Sequence, residues 1–245
     1  LLVGGFLSAF APTWAAADCP DLDLVLAIDT SGSVSAAEFE LQKQGYAMAF
    51  ADPAVQAAIR AAGKVDVAVV FWGDDYSSVQ VIGWRNVTEP KGAGGLAHAI
   101  AATPRQTSGD TGIGRAVWVA LDILDASGRC AARRVINVSG DGRESVGPRR
   151  RPQVSMAVAR ERARATAVTI NGLAILSDEP GLAEWYRGAV VVGPDAFVME
   201  ATGYDSFAQA IARKLAREIA PAALAGATGG SAVAGAEVGQ MDEGA

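Results

Sequence analysis

The chain has 245 residues, half of them apolar, which is enough for one substantial core and makes a single α/β domain the natural expectation. Its formal charge of −6 offers no concentrated basic face of the kind phosphate binding needs, so no nucleic-acid partner is expected. The one dense basic run, Arg149-Arg150-Arg151, reads as a solvated loop.

Residues 1–17 form an uncharged apolar run that ends in Ala15-Ala16-Ala17, the pattern of an export signal that begins inside its leader. It is too short for a stable membrane span, and cleavage after Ala17 would place the protein in a periplasmic or extracellular space. The domain is then expected over residues 18–220. Asp23–Ile28 is a continuous apolar strand buried on both faces. Glu38–Ile59 carries apolar residues at helical spacing and is divided at Asp52-Pro53. Lys64–Trp72 and Ser78–Trp84 are strands joined by a tight Gly73–Tyr76 segment, hence an antiparallel hairpin at a sheet edge. Trp72 and Trp84 on that hairpin read more readily as packing than as a contact patch. Helices are expected at Gly94–Ala102, Ile113–Ala126, Val154–Ala167, Leu182–Arg187 and Ser206–Ile219. Strands are expected at Arg134–Val138, Thr169–Leu176 and Ala189–Val192. This order predicts a doubly wound, mostly parallel sheet with one antiparallel edge hairpin and helices on both faces. Residues 221–245, rich in Ala and Gly without an aromatic, read as a disordered tail.

In an open parallel sheet, ligands gather where strands end. Asp29, Ser31 and Ser33 directly follow the first strand, and Gly32 lets that turn bend tightly. Asp141 follows the strand Arg134–Val138, and Thr111 stands at the entrance to the helix Ile113–Ala126. Two carboxylates and three hydroxyls, with no imidazole or thiolate near them in sequence, suit Mg²⁺, with Mn²⁺ or Ca²⁺ as alternatives. Asp-x-Ser-x-Ser by itself could equally be a helix cap; Thr111 and Asp141, each after its own element, favour a metal site.

These five residues resemble the metal-ion-dependent adhesion site of von Willebrand factor A domains, in the family's order, and the resemblance spans Asp21–Ile219. Thr111–Ala116, Val135–Gly142, Thr169–Leu173 and the closing Ala208–Ile219 helix are similar, more narrowly, to an uncharacterised bacterial group of secreted, single-domain A-type proteins. One departure stands out. Ser139-Gly140 precedes Asp141, where many A domains place Thr or Ser immediately before the Asp. The resemblance implies a bound divalent ion, completed by the exposed carboxylate of a protein partner, in a binding module with no catalytic residues. Arg143, Arg149, Arg150 and Arg151, after Asp141, form a candidate rim for an acidic partner. In A domains the strands that follow Cys19 and Cys130 are neighbours, which makes a Cys19–Cys130 disulfide plausible in an exported protein beside the alternative of two free thiols.

Two competing readings have support. Asp21-Leu22-Asp23-Leu24-Val25 fits the Asp-x-Asp-x-Val/Thr pattern of haloacid-dehalogenase-like phosphatases, but Cys19-Pro20 precedes it where an apolar strand should. A scaffold with an unused metal site is the other. His98, the sole histidine, lacks a Gly-x-Ser-x-Gly elbow and reads as an ordinary helix residue. Gly112-Ile113-Gly114 follows no strand and so is no dinucleotide loop.

Overall fold

The computed structural model describes residues 19–74, 78–126, 128–145 and 153–221. The expected signal, all but the first residue of the expected tail, and Arg149–Arg151 lie outside the described residues.

Among these residues six strands form one sheet: β1 (Leu22–Asp29), β2 (Val65–Trp72), β3 (Gln80–Asn86), β4 (Arg133–Gly140), β5 (Thr169–Ile175) and β6 (Val198–Ala201). Their order is β3-β2-β1-β4-β5-β6, parallel throughout except for β2 with β3. Among the described residues seven helices cover it: α1 (Ala36–Ala51), α2 (Pro53–Ala62), α3 (Pro90–Ala102), α4 (Ile113–Leu124), α5 (Met156–Ala165), α6 (Leu182–Ala189) and α7 (Tyr204–Ile219). The doubly wound architecture is as the sequence predicts.

All eight positions of β1 are buried, and the two-residue period of the strand divides them. Leu22, Leu24, Leu26 and Ile28 enter one core with side chains of α1, α2, α3 and α7. Val25 and Ala27 enter the other with α4, α5 and α6. Asp29 shares the face of Val25 and Ala27, and this parity decides which neighbours it meets. Chain crossovers diverge to opposite faces beside β1 and β4, so the carboxyl ends of those two strands flank a crevice.

Local chemistry sets the breaks. Asp52 ends α1 and caps α2, its Oδ1 accepting from the Ala54 N–H at 2.8 Å, with Pro53 in the first turn where its missing N–H costs nothing. Ser35 and Glu38 form a reciprocal capping box at the start of α1. The expected strand Ala189–Val192 is corrected: α6 runs to Ala189, and Val192 makes only an isolated antiparallel bridge to Ile170. The sixth strand is instead Val198–Ala201, a four-residue edge carrying Glu200, too short and too polar to stand out as a buried run.

At the amino end of the sheet, Cys19 and Cys130 are disulfide-bonded, with Cα atoms 5.3 Å apart. The bridge joins positions separated by 111 residues and stabilises the fold by about 4–5 kcal/mol in the chain-entropy account.

Candidate metal centre

Three loops meet at the carboxyl ends of β1 and β4, and backbone hydrogen bonds stitch them together. The Gly32 N–H donates to the Gly109 carbonyl at 2.6 Å, joining the Asp29–Ser33 loop to the loop that leads into Thr111. Gly32 has to be glycine, because a Cβ there would stand 2.9 Å from that carbonyl oxygen. Thr111 and Ser145 are doubly tied: the Ser145 N–H donates to the Thr111 carbonyl at 3.0 Å, and the Thr111 N–H donates to Ser145 Oγ at 3.2 Å. Glu144 then spans two helix starts, accepting from the Gly114 N–H at 2.8 Å and the Met156 N–H at 3.3 Å.

Within this frame the predicted side chains converge. Ser33 Oγ donates to Asp141 Oδ1 at 2.6 Å and lies 3.2 Å from Ser31 Oγ. Asp29 Oδ1 accepts from the Ser31 N–H at 2.7 Å. Thr111 is buried on the neighbouring loop, its Oγ1 3.9 Å from the point where a Cβ on Gly142 would stand. Ser31, Ser33, Asp29 and Asp141 are thus joined in one hydrogen-bonded group, with Thr111 beside it. Ser33 alone is exposed, so the group opens to solvent on that side.

The electrostatics of the group are one-sided. Asp29 is fully buried, and its carboxyl is pushed up from 3.8 to about 7, by burial first and by the charge of Asp141 second. Burial likewise raises Asp141, against the hydrogen bonds it accepts from Ser33 and Tyr204. Among the described residues no Lys or Arg makes a salt bridge to either carboxylate. Asp29 Oδ2 is buried with no hydrogen-bond partner among them. Two crowded carboxylates, hydroxyls beside them and one unpaired oxygen make a hard donor set with a deficit of positive charge, and a divalent cation fits it. Among the described residues no group of three or more His, Cys, Asp or Glu is placed to hold a metal, so any such ion must rely on the hydroxyls as well.

Several supporting residues carry no motif in the sequence. Tyr204, at the start of α7, donates to Asp141 Oδ2 at 3.0 Å. Gln42 on α1 donates to the Asp29 carbonyl at 2.9 Å. Arg105 donates to the carbonyls of Thr30 at 3.0 Å, Ser31 at 2.6 Å and Thr107 at 3.2 Å, clamping the first loop from outside. Thr30 turns away from the group and bonds the Trp72 carbonyl and Thr107.

The remaining candidates lie elsewhere. Arg143 is exposed and ion-paired with Glu179. Asp21 accepts from the Lys64 N–H at 2.8 Å, and Asp23 is paired with Arg129, both at the opposite end of β1 from the crevice. His98 is an exposed residue of α3. Trp72 is buried in the core, while Trp84 lies under the Arg129 guanidinium, 4.0 Å from its ring centre.

Residues 18–223 match the family described as "Protein of unknown function (DUF1194)". The chain belongs to that family. No curated protein matches it in sequence. Among solved structures, the pilus adhesin SpaC from Lactobacillus rhamnosus GG is similar over 82% of this chain and 31% of its own, with a TM-score of 0.61 at 14% identity. Proximal thread matrix protein 1 from the mussel byssus is similar over 81% of this chain and 46% of its own, with a TM-score of 0.55 at 15% identity. A second structure of that mussel protein, described as having a zinc-occupied MIDAS motif, covers 81% of this chain and 45% of its own, at 0.55 and 16%. At these identities the likeness establishes the fold, which is von Willebrand factor A-like in this member of the family. The chain spans less than half the length of each of these proteins.

Proposed function

We propose that the chain is a metal-dependent binding module of the adhesion type and not an enzyme. In this reading Asp29, Ser31, Ser33, Thr111 and Asp141 hold a divalent ion of the Mg²⁺ class, with Mn²⁺ or Ca²⁺ as alternatives. When bound, the ion would supply a Lewis-acidic point for the exposed carboxylate of a protein partner. The observation that carries the reading is Asp29: a buried carboxylate beside a second one, with an oxygen that has no partner and with no salt bridge among the described residues, is an arrangement that a cation stabilises.

The chain's own residues prepare that role. Arg105 and Gln42 fix the backbone of the first loop, and Tyr204 together with Ser33 orients Asp141. Each supporting bond leaves donor oxygens facing one another without any input from the ion. The similar structures, an adhesin and a matrix protein with a zinc-occupied motif, support the same use of the fold. The disulfide supports a periplasmic or extracellular setting, and among the described residues no helix is long and apolar enough to cross a membrane.

The test is capture of a partner from envelope extract, with and without chelator, using wild-type and Asp29→Ala baits. A partner retained only by the wild type and released by chelator is the expected result. Equal retention by both baits contradicts metal-dependent capture and favours a scaffold whose metal site is unused.

A further inference from the structure

Tyr186, on α6, is among the largest fully buried side chains, and its hydroxyl has no hydrogen-bond partner among the described residues. Its position is built by two glycines on adjacent strands. A Cβ on Gly172 of β5 would stand 2.6 Å from Tyr186 Cδ1, so the ring lies where that side chain is missing. A Cβ on Gly140 of β4 would stand 2.8 Å from the Tyr186 hydroxyl and 2.7 Å from Asp29 Oδ2. Both strands therefore lack side chains along the path by which the phenol reaches from α6 towards the end of β1. The two atoms that converge on the gap at Gly140, a hydroxyl and a carboxylate oxygen, are both buried and both without a hydrogen-bond partner among the described residues.

Packing alone does not account for this arrangement. Phenylalanine would fill the same space without burying an unsatisfied hydroxyl, which is destabilising. A Ser or Thr at position 140, the residue types many A domains place before this Asp, would set its Cβ into the gap and collide with both groups. The parity of β1 explains the encounter, since Asp29 points to the face whose core contains Tyr186. On the other side of the site, Tyr204 already donates to Asp141.

We propose that Tyr186 is a positioning residue of the metal centre: with the ion bound, its hydroxyl, unsatisfied without it, donates to Asp29 Oδ2, the oxygen that Ser31 leaves free, and steadies that carboxylate. This rests on the metal-binding reading above. Tyr186 does not touch the ion; it acts through Asp29, as outer partners of metal-ligating carboxylates commonly do. Each of the two site carboxylates then has its own tyrosine donor, Tyr204 for Asp141 and Tyr186 for Asp29, supplied from helices on opposite faces of the sheet.

The experiment is calorimetric titration of wild type, Tyr186→Phe and Asp29→Ala with Mg²⁺ and with Mn²⁺, joined to thermal unfolding of each protein in chelator and in saturating Mg²⁺. Tyr186→Phe should bind both ions about 10- to 100-fold more weakly. In chelator it should melt at or above the wild-type temperature, because an unsatisfied hydroxyl has been removed, and Mg²⁺ should raise its melting temperature less than it raises that of the wild type. Wild-type affinity in Tyr186→Phe, with binding lost in Asp29→Ala, would overturn the positioning role and leave the metal site standing. Equal loss of melting temperature with and without metal would also overturn it, by showing that the hydroxyl serves only the fold. If the wild type takes up neither ion, the metal reading fails and this role fails with it.

Discussion

Strand β1 carries an aspartate near each end, Asp23 and Asp29, on the same face and both fully buried. At the amino end, Asp23 is met by the Arg129 guanidinium, which also pairs with Asp66 at 3.2 Å and lies on the Trp84 ring. The disulfide at Cys130 anchors the residue next to that arginine. At the carboxyl end, Asp29 faces another carboxylate and several hydroxyls and, among the described residues, makes no salt bridge. Equal burial thus has two outcomes: one aspartate is neutralised by Arg129, and the other meets no cation among the described residues. A buried charge is costly unless it is paired, so Asp23 is a structural acid and Asp29 the candidate for a bound cation.

The comparison can be broken from either end. Arg129→Met leaves Asp23 buried without its cation and should cost about 3–5 kcal/mol in denaturant unfolding, by the same amount with chelator and with Mg²⁺. A loss smaller than about 1 kcal/mol would mean that the pair is not what makes Asp23 tolerable.

The pH response should come from the other end. The Asp29 carboxyl lies at about 7 in the fold against an ordinary 3.8, raised by burial and then by Asp141. In that window the native state keeps a proton that the unfolded chain has already released, so this group's stability contribution is greatest below about pH 4, falls as pH rises through about 7, and then levels. In the proposed role metal uptake requires the ionised carboxylate, so Mg²⁺ affinity should climb over the same range and flatten above it. Melting curves in chelator across that range check the sign, with Asp29→Asn removing its part of the slope; an identical slope in that variant would refute the assignment.

The smallest effect is expected at the rim. Arg143 is already ion-paired with Glu179, so replacing Arg143, Arg149, Arg150 and Arg151 together with Ala should weaken capture of an acidic partner only a few-fold and flatten its salt dependence. Unchanged affinity and unchanged salt dependence would remove the rim from the account.

What the sequence displays and what it hides follow the same division. Asp29, Ser31, Ser33, Thr111 and Asp141 are legible because each follows or opens a regular element, and the first three keep a short fixed spacing. Tyr186, Tyr204, Gln42 and Arg105 are not, since they reach the site from other helices and loops, where burial and not spacing brings them close. Gly140 looks in sequence like a departure from the adhesion-site pattern; in the fold it is the opening through which Tyr186 approaches Asp29. The sheet order is legible from alternating strands and helices. Strand β6 is not, because a four-residue edge with a charged residue has no apolar run to reveal it.

Among the described residues Asp29 lacks the cation that Asp23 already has, and direct titration of the chelator-treated protein with Mg²⁺ and Mn²⁺ tests whether a metal ion supplies it. The wild type should take up a single ion saturably, Asp29→Ala should lose that uptake, and Asp23→Asn, changed at the far end of the strand, should keep it. No uptake by the wild type, or uptake that survives Asp29→Ala, would contradict it.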